Sequence, residues 1–203
     1  MTSPPLLLAQ DAFRGGAGRW HPELELGGTV RAQDGVLDIE APGGATLWWR
    51  KPFLGPHEIA FTATPVAEGG PHDRVSDLNV FWGARDARSP EDLLATRRSG
   101  AFAEYDHLTT YYVGLGGNHN TTTRFRRYIG VPGDRPLLAD RPAPLLQPNR
   151  PYRVRLLMAG GRVEYWCDGE LLFGCADPCR GGWFGFRTTA AHFRLAGFRV
   201  LAR

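Results

Sequence analysis

The sequence predicts an all-β fold, a sandwich of two antiparallel sheets with one short helix. Three observations favour this class: short apolar runs, alternation of apolar and polar residues within them, and Gly, Pro and Asp-Gly turns between them. The turns have no repeat period, which argues against a propeller or solenoid. The 203 residues fit a single domain, with residues 1–28 as an irregular N-terminal segment or a first edge strand.

The strands are bounded by turn residues. Ala159-Gly-Gly161 and Asp168-Gly169 are short enough to join three consecutive strands into a meander over residues 152–173. In chain order, the predicted strands are Val36–Glu40, Ala45–Trp49, His57–Ala63, Ser76–Trp82, two strands flanking the glycine-rich stretch near residue 116, Tyr152–Met158, Arg162–Cys167, Glu170–Phe173, Gly182–Thr188 and Phe193–Leu201.

One helix is predicted, at Ser89–Arg97. Ser89 can cap free backbone amides, Pro90 suits the first helical position, and acidic residues follow in the first turn. Period-two alternation also predicts a core between the sheets. Its expected members are Leu78, Val80, Val113, Phe125, Phe184 and Phe186.

The amino-acid composition limits the classes of function that the chain can have. With 42% hydrophobic residues and six tryptophans, the chain can bury a substantial core. Its 24 basic residues exceed its 21 acidic residues by three, but Arg97-Arg98 and Arg126-Arg127 are isolated pairs. No basic run is long enough for a nucleic-acid groove, so we expect no nucleic-acid partner.

The N-terminus lacks the charged region and longer apolar stretch of a secretory signal, and no later run approaches a membrane span. We therefore expect a cytoplasmic protein without a membrane partner, although a mature domain trimmed of its signal would look the same. Cys167, Cys175 and Cys179 lack the Cys-x2-Cys spacing of structural zinc sites. They are interpreted as thiols, and no metal ligands are assigned.

The stretch 111–128 is the most informative part of the chain, because it packs aromatics, amides, a histidine and arginines around glycines. If both of its ends are strands, alternation sends Tyr111 into the core and Tyr112 to the opposite face. That opposite face would also carry Gly114, Gly116, Thr122, Arg124, Arg126 and Tyr128. The alternative is an exposed sheet face whose arginines pair with surface carboxylates.

Other predicted strands contribute similar residues to the same surface, with Gly185 as a further gap for a ligand. Aromatic rings stack on sugar rings, while Asn, Asp and Arg bind hydroxyls or carboxylates. This composition predicts an oligosaccharide or polysaccharide partner. The candidate substrate-binding residues are Asp77, Asn79, Tyr105, Asn118, Asn120, Arg124, Arg126, Trp166, Arg187 and His192.

The meander "YRVRLLMAGGRVEYWCDGELLF", the following "GWFGFRTT" and the final "FRLAGFRV" resemble the C-terminal half of concanavalin A-like lectin/glucanase sandwiches. The segments "SDLNVFWGARD", "YYVGLGGNHNTTTRFRRY" and "GWFGFRTTAAH" look like a bacterial family of uncharacterised domains found in carbohydrate-utilisation contexts. The resemblance extends from about Leu37 to the C-terminus and implies a jelly-roll fold. The reaction stays open, because the superfamily includes lectins, glycoside hydrolases and polysaccharide lyases.

Sandwich glucanases carry an array such as Glu-x-Asp-x-x-Glu on one strand, which this chain lacks. The nearest approach is Glu104-Tyr-Asp-His107, where Glu104 or Asp106 could pair across space with Asp77. The residue types instead favour a lyase acting on a uronate-containing glycan, with His107, Tyr112 or His119 moving protons.

Two other functions fit the same surface: a non-catalytic lectin-like module, and a glycoside hydrolase using scattered carboxylates. His119 also has a structural interpretation, since it stands in an Asn-rich turn that tolerates unusual backbone angles. No cofactor is predicted. A structural calcium ion is compatible with such sandwiches, but no Asp/Asn-rich loop requires one.

Overall fold

The structure, a computed structural model, describes residues 4–178 and 180–203. These residues form fourteen strands, and every pairing between the strands is antiparallel. The strands are β1 Leu7–Asp11, β2 Trp20–Leu24, β3 Thr29–Gln33, β4 Val36–Trp49, β5 Phe53–Leu54, β6 His57–Pro65, β7 Leu78–Asp86, β8 Leu108–Gly116, β9 Thr122–Ile129, β10 Leu137–Arg141, β11 Tyr152–Ala159, β12 Arg162–Cys167, β13 Glu170–Ala176 and β14 Gly181–Ala202.

Two long strands, β4 and β14, pass from one layer of the sandwich to the other. The first part of β14 pairs with β7 and the end of β4, whereas its later part pairs with β6 and the beginning of β4. The change of layer coincides with a bulge between Thr189 and Ala191, where Ala190 has φ 45°. The front sheet has the order β2-β4-β14-β7-β8-β9-β10, and the back sheet β3-β4-β14-β6-β11-β12-β13.

The core between the two sheets contains the residues that alternation predicts. Leu78, Val80, Val113, Phe125, Phe184 and Phe186 are all buried there, which confirms the predicted strand phase. Tyr111 also belongs to this core, and Tyr112 points to the other side of the front sheet. The two-sheet antiparallel sandwich is therefore as predicted.

The predicted helix at Ser89–Arg97 is wrong. The segment contains only a 3₁₀ turn at Leu93–Ala95, which Asp92 caps by accepting a bond from the Leu94 amide at 2.9 Å. The Ser89 hydroxyl bonds to Thr96 at 2.7 Å instead of capping a helix. Apart from Leu93 and its neighbour Leu94, the segment offers no apolar stripe that would hold a helix against the sheet.

Residues 87–107, which we call the cover segment, lie over part of the outer face of the front sheet. The segment ends in a 3₁₀ helix at Phe102–His107. It closes a second apolar cluster, separate from the core between the sheets. The members of this cluster are Trp48, Phe81, Ala84, Leu93, Tyr105, Leu108, Tyr112, Tyr128 and Trp183.

Cys167 is a buried thiol and Cys175 a half-buried one, as the spacing suggested, while the prediction for Cys179 falls outside the described residues. Burial raises the pKa of Cys167 to about 12, so this thiol stays protonated at neutral pH. Among the helical stretches of residues 4–178 and 180–203, none is long and apolar enough to cross a membrane.

Candidate functional site

A single row of directly paired residues crosses the outer face of the front sheet. Pairing places residues from seven strands side by side, so side chains far apart in sequence become neighbours. The row reads Glu23, Thr46, Arg187, Asn79, Gly114, Arg124 and Asp140. The next row on the same face includes Phe81, Tyr112 and Arg126.

These two rows form the floor of a cleft of about 730 Å³ beside the cover segment. Seven of the residues proposed from the sequence line it together. They are Asp77, Asn79, Tyr112, Asn118, Arg124, Arg126 and Arg187. The remaining walls include Glu25, Phe102, Tyr128 and Arg135. The cleft is therefore polar and mostly cationic, with aromatic rings along one side.

Glycine shapes the floor at Gly114 but not at Gly185. A Cβ atom on Gly114 would lie 3.1 Å from both the Asn79 Oδ1 and the Tyr112 hydroxyl. Because glycine lacks this atom, the cleft is deeper at this position. A Cβ atom on Gly185 would lie 2.7 Å from the Trp48 ring. The expectation that Gly185 makes room for a ligand is thus wrong, because Trp48 already fills that gap.

Arg187 is a buried cation at one end of the floor, with 1% of its surface exposed. Its Nη1 donates to the Thr46 hydroxyl at 2.9 Å and to the Gly100 carbonyl at 2.8 Å. Its Nε is buried and has no hydrogen-bond partner in the part of the chain that the structure describes. Among the described residues, no carboxylate lies within 4.0 Å of the guanidinium. A buried charge without a counter-charge is costly, and a bound anion would remove that cost.

Asn79 lies next to Arg187 in the row and is also buried, with 2% exposure. Its Nδ2 makes a long bond of 3.5 Å to Asp77, while its Oδ1 accepts no hydrogen bond from residues 4–178 or 180–203. Buried amide groups are normally satisfied. Two adjacent buried side chains in the cleft therefore retain hydrogen-bonding capacity for a ligand.

Two other arginines on the floor lie nearer to solvent. Arg126 donates to the Arg135 carbonyl at 2.6 Å, and no described carboxylate pairs with it. Arg124 pairs with Asp140 at 2.9 Å, but its side chain is 38% exposed, so this pair is weak.

Arg135 forms a wall of the cleft. Its guanidinium pairs with Asp106 at 2.5 Å and lies 4.4 Å from the centre of the Phe102 ring. Burial opposes ionisation of Asp106, but hydrogen bonds from Arg135 and the Gly133 amide outweigh it and hold the pKa of Asp106 below its usual value. Asp106 is thus a fixed structural anion, and neither it nor Glu104, which accepts bonds from Ser99, pairs with Asp77.

Tyr112 is the proposed proton-transfer residue that the structure places in the cleft. Burial raises its pKa well above that of a free tyrosine, and the neighbouring Tyr128 and Asp77 add to the shift. The phenol is therefore protonated at neutral pH. In that form it can donate a hydrogen bond or a proton to a ligand oxygen.

The two proposed catalytic histidines lie outside the cleft lining. His119 occupies a left-handed turn at Gly117–Asn120 and contacts Arg74 at 3.2 Å. His107 ends the cover segment. The structural interpretation of His119 as a turn residue therefore fits its position.

Four proposed substrate-binding residues also lie elsewhere. Tyr105 belongs to the cover segment and is buried in its apolar cluster, where its hydroxyl donates to Glu23 at 2.7 Å. Asn120 holds the Leu146 backbone through two bonds of 2.8 Å. His192 bridges Asp38 and Asp73 at 3.1 Å.

Trp166 belongs to β12 in the back sheet, so it cannot reach the front face. Its indole donates to Glu164 at 2.9 Å, and the Arg155 guanidinium lies over its ring at 4.2 Å. Alternation correctly assigned Trp166 to the outer side of its strand. It could not show that β12 and β7 lie in different sheets.

The sequence interpretation missed Glu25, Phe102 and Arg135. Glu25 continues the alternation of Glu23 on β2 and accepts a bond from the Gly44 amide at 3.0 Å, but residues 1–28 were predicted only as an irregular segment or a first edge strand, with no bounds for β2. Phe102 and Arg135 lie outside the strands and have no periodic signal. In the described parts of the chain, no group of three His, Cys, Asp or Glu residues is arranged to hold a metal.

The two-sheet sandwich has the architecture of concanavalin A-like, lectin-type folds. The chain belongs to the family described as a domain of unknown function, DUF6250, which matches residues 39–198. A search of curated proteins found no match.

Solved structures share this fold at low sequence identity. A protein of unknown function with a galectin-like fold from Bacillus subtilis aligns over 100% of both chains with a TM-score of 0.80 and 19% identity. The carbohydrate binding module CBM66 from Bacillus subtilis aligns over 91% of this chain and 96% of its own, with a TM-score of 0.61 and 11% identity. The Ca²⁺/mannose-bound VIP36 exoplasmic/lumenal domain aligns over 91% and 83%, with a TM-score of 0.62 and 13% identity.

Proposed function

We propose that the cleft binds an acidic oligosaccharide and that Arg187 holds a sugar carboxylate. One observation carries the proposal: Arg187 is buried, has no carboxylate partner among the described residues and has an unbonded Nε. A carboxylate there would supply the missing counter-charge through charge-assisted hydrogen bonds.

The other side chains of the cleft suit the rest of a sugar. Asn79 has a free amide oxygen for a hydroxyl donor, and Tyr112 and Phe102 offer aromatic surface. A carbohydrate binding module and a mannose-bound exoplasmic/lumenal domain share the fold, which supports carbohydrate binding by analogy.

Binding without chemistry is favoured over catalysis, because the two proposed proton-transfer histidines lie outside the cleft. Of the carboxylates in the lining, Asp77 is tied to Arg74 at 2.6 Å. A glycoside hydrolase would need two available carboxylates. The hydrolase alternative therefore has little support from this arrangement.

A uronate lyase is the second candidate, because Tyr112 lies in the cleft with Arg187 and Asn79. Arg187 would neutralise the carboxylate, and Glu25, the lining carboxylate without an arginine partner in the described chain, would accept the C5 proton. The C5–H electrons would form the C4–C5 double bond as the C4–O bond breaks. Tyr112 would protonate the leaving oxygen.

Calorimetric titration with oligogalacturonate, oligomannuronate, oligoglucuronate and neutral glucans tests the binding function. Arg126 and Arg127 provide a matched pair, since they are neighbours on β9 that point to opposite faces. We expect Arg126→Met to weaken uronate binding at least about tenfold and Arg127→Met to leave it unchanged. Equal affinity for neutral and acidic glycans would overturn the proposal. Absorbance of an unsaturated product would demonstrate the lyase.

A further inference from the structure

The cleft is deep at one end of its residue row and open at the other. Arg187 is almost fully buried, whereas Arg124, three strands away in the same row, is 38% exposed. Since neighbouring strands lie about 4.8 Å apart, the two backbone positions are separated by roughly 14 Å. That distance exceeds the width of one sugar ring. A ligand that spans it is an oligosaccharide with its deepest residue at Arg187.

Backbone closes the deep end. The Gly100 carbonyl accepts a hydrogen bond from Arg187, and a Cβ atom on Gly44 would lie 2.5 Å from that same oxygen. A Cβ atom on Gly100, which has φ +106°, would lie 2.7 Å from the Glu25 amide nitrogen. The cover segment, β2 and β4 thus touch backbone to backbone beyond Arg187. No room remains there for a continuing sugar chain.

The side chains above the deep end narrow it further. Phe102 and Tyr105, both from the cover segment, have ring centres 5.0 Å from the Arg187 guanidinium carbon. Tyr105 is fully buried and its hydroxyl is fixed on Glu23. The roof over Arg187 is therefore part of an apolar cluster rather than a mobile side chain on the surface.

We infer that the cleft recognises the end of an acidic glycan chain and not an internal stretch of it. Arg187 and Asn79 bind the carboxylate of the terminal residue, and Arg126 and Arg124 contact residues further along the chain. This inference rests on the proposed binding function and adds that the ligand enters from the open side with one end first.

Binding stoichiometry tests this directly. A trimer, a hexamer and a long polymer of the same uronate are titrated into the 203-residue chain at equal concentrations of sugar residues. If the protein binds chain ends, one protein binds per chain, and the amount of protein bound per sugar residue is inversely proportional to chain length. If several proteins bind one polymer chain, end recognition is wrong while acidic-glycan binding stands. If none of the three binds, the proposed function itself is wrong.

Subsite variants give a second, independent test. Arg124→Ala is expected to leave binding of the free uronic acid monosaccharide unchanged and to weaken binding of the trimer about fivefold, a size typical of an exposed charge pair. Arg187→Lys keeps the charge but loses the forked geometry, so it should weaken monomer and trimer by the same factor, about tenfold or more.

Two outcomes of this series are decisive. If Arg124→Ala weakens the monosaccharide as strongly as the trimer, the terminal residue does not occupy the Arg187 end, and the inference fails. If the loss for Arg187→Lys shrinks as the chain lengthens, longer chains bind in registers that place no terminal carboxylate at Arg187, which contradicts a fixed terminal position. Because Arg124 is exposed, its variant tests the inference even if the Arg187 variant does not fold.

Discussion

Two buried arginines face the same side of the front sheet and have opposite surroundings. Arg98, in the cover segment, pairs with Glu23 at 3.0 Å and Asp86 at 3.3 Å and donates to the Leu93 carbonyl. Arg187 is as deeply buried but has neutral partners, Thr46 and Gly100, and an unbonded Nε. Arg98 has two carboxylates within 4.0 Å, and Arg187 has none within that distance in the described chain.

The difference separates a structural charge from a binding charge. Glu23 also accepts bonds from Trp48 and Tyr105, so the Arg98 network fastens the cover segment to β2, β4 and β7. The charges and hydrogen bonds of this network are satisfied without a ligand. The charge and the Nε hydrogen bond of Arg187 are not satisfied unless a ligand binds. A protein can retain a destabilised group of this kind because it serves binding rather than folding.

The largest expected effect is that of breaking the complete network. Arg98→Met leaves Glu23 and Asp86 as buried carboxylates that have lost a counter-charge, so it should lower the free energy of unfolding by about 3–5 kcal/mol. Urea denaturation measures this. Arg88→Met is the matched control, since Arg88 binds the same Asp86 but is 42% exposed, and its loss should be below about 1 kcal/mol. If the two variants lose equal free energies of unfolding, the buried Arg98 network does not stabilise the fold more than an exposed ion pair does.

Arg187→Met should behave in the opposite way. It removes bonds to Thr46 and Gly100 but also an uncompensated buried cation, so we expect the free energy of unfolding to change by less than about 2 kcal/mol. Uronate binding should nevertheless be lost in calorimetry. A loss of stability as large as that of Arg98→Met would show that Arg187 is primarily structural.

Acid should weaken the attachment of the cover segment. Burial opposes ionisation of Asp86, but bonds from Arg88 and the charges of Arg88 and Arg98 outweigh it, and its pKa lies below that of a free aspartate. A depressed carboxyl pKa stabilises the fold above the unfolded pKa of about 4, and this contribution is lost as pH falls through the folded pKa. The urea concentration at the midpoint of unfolding should fall as the pH decreases below about 4. This fall should be less steep for Asp86→Asn than for the wild type. If the midpoints of the wild type and of Asp86→Asn fall equally steeply with pH, Asp86 does not contribute to the loss of stability in acid.

Alternation in the sequence predicted the sandwich and the cleft floor because both depend on local periodicity. Asn79, Tyr112, Arg124 and Arg126 follow from strand phase alone, and so does the core position of Phe125. Register then aligned these residues across strands that are paired in the fold. Trp166 has the same local pattern but lies in the other sheet, which period-two alternation cannot distinguish.

The cover segment escaped prediction for a different reason. Its position depends on one buried arginine and two carboxylates that are 12 and 75 residues away, and not on a repeating pattern. Ser89 and Pro90 are valid helix-start signals, but tertiary pairing of Arg98 and burial of Leu93 determined an irregular path of turns and bends. Phe102, and the deep end of the cleft that it helps to roof, could not be derived without that path.

The smallest expected effect concerns the hydroxyl of Tyr112, and it distinguishes binding from elimination. For a binding protein, Tyr112→Phe removes at most one neutral hydrogen bond, so uronate affinity should fall no more than about tenfold. Because burial keeps the pKa of Tyr112 well above 10, the wild-type affinity should also show no phenol titration up to that pH. Tyr128→Phe is the matched control, since that hydroxyl has no hydrogen-bond partner in the described chain although its ring also lines the cleft.

For a lyase, Tyr112→Phe would abolish formation of unsaturated product, a loss of about 10²–10⁴-fold, while leaving affinity nearly intact. Product formed by the wild type and absent only in Tyr112→Phe would therefore replace the binding function with the catalytic one.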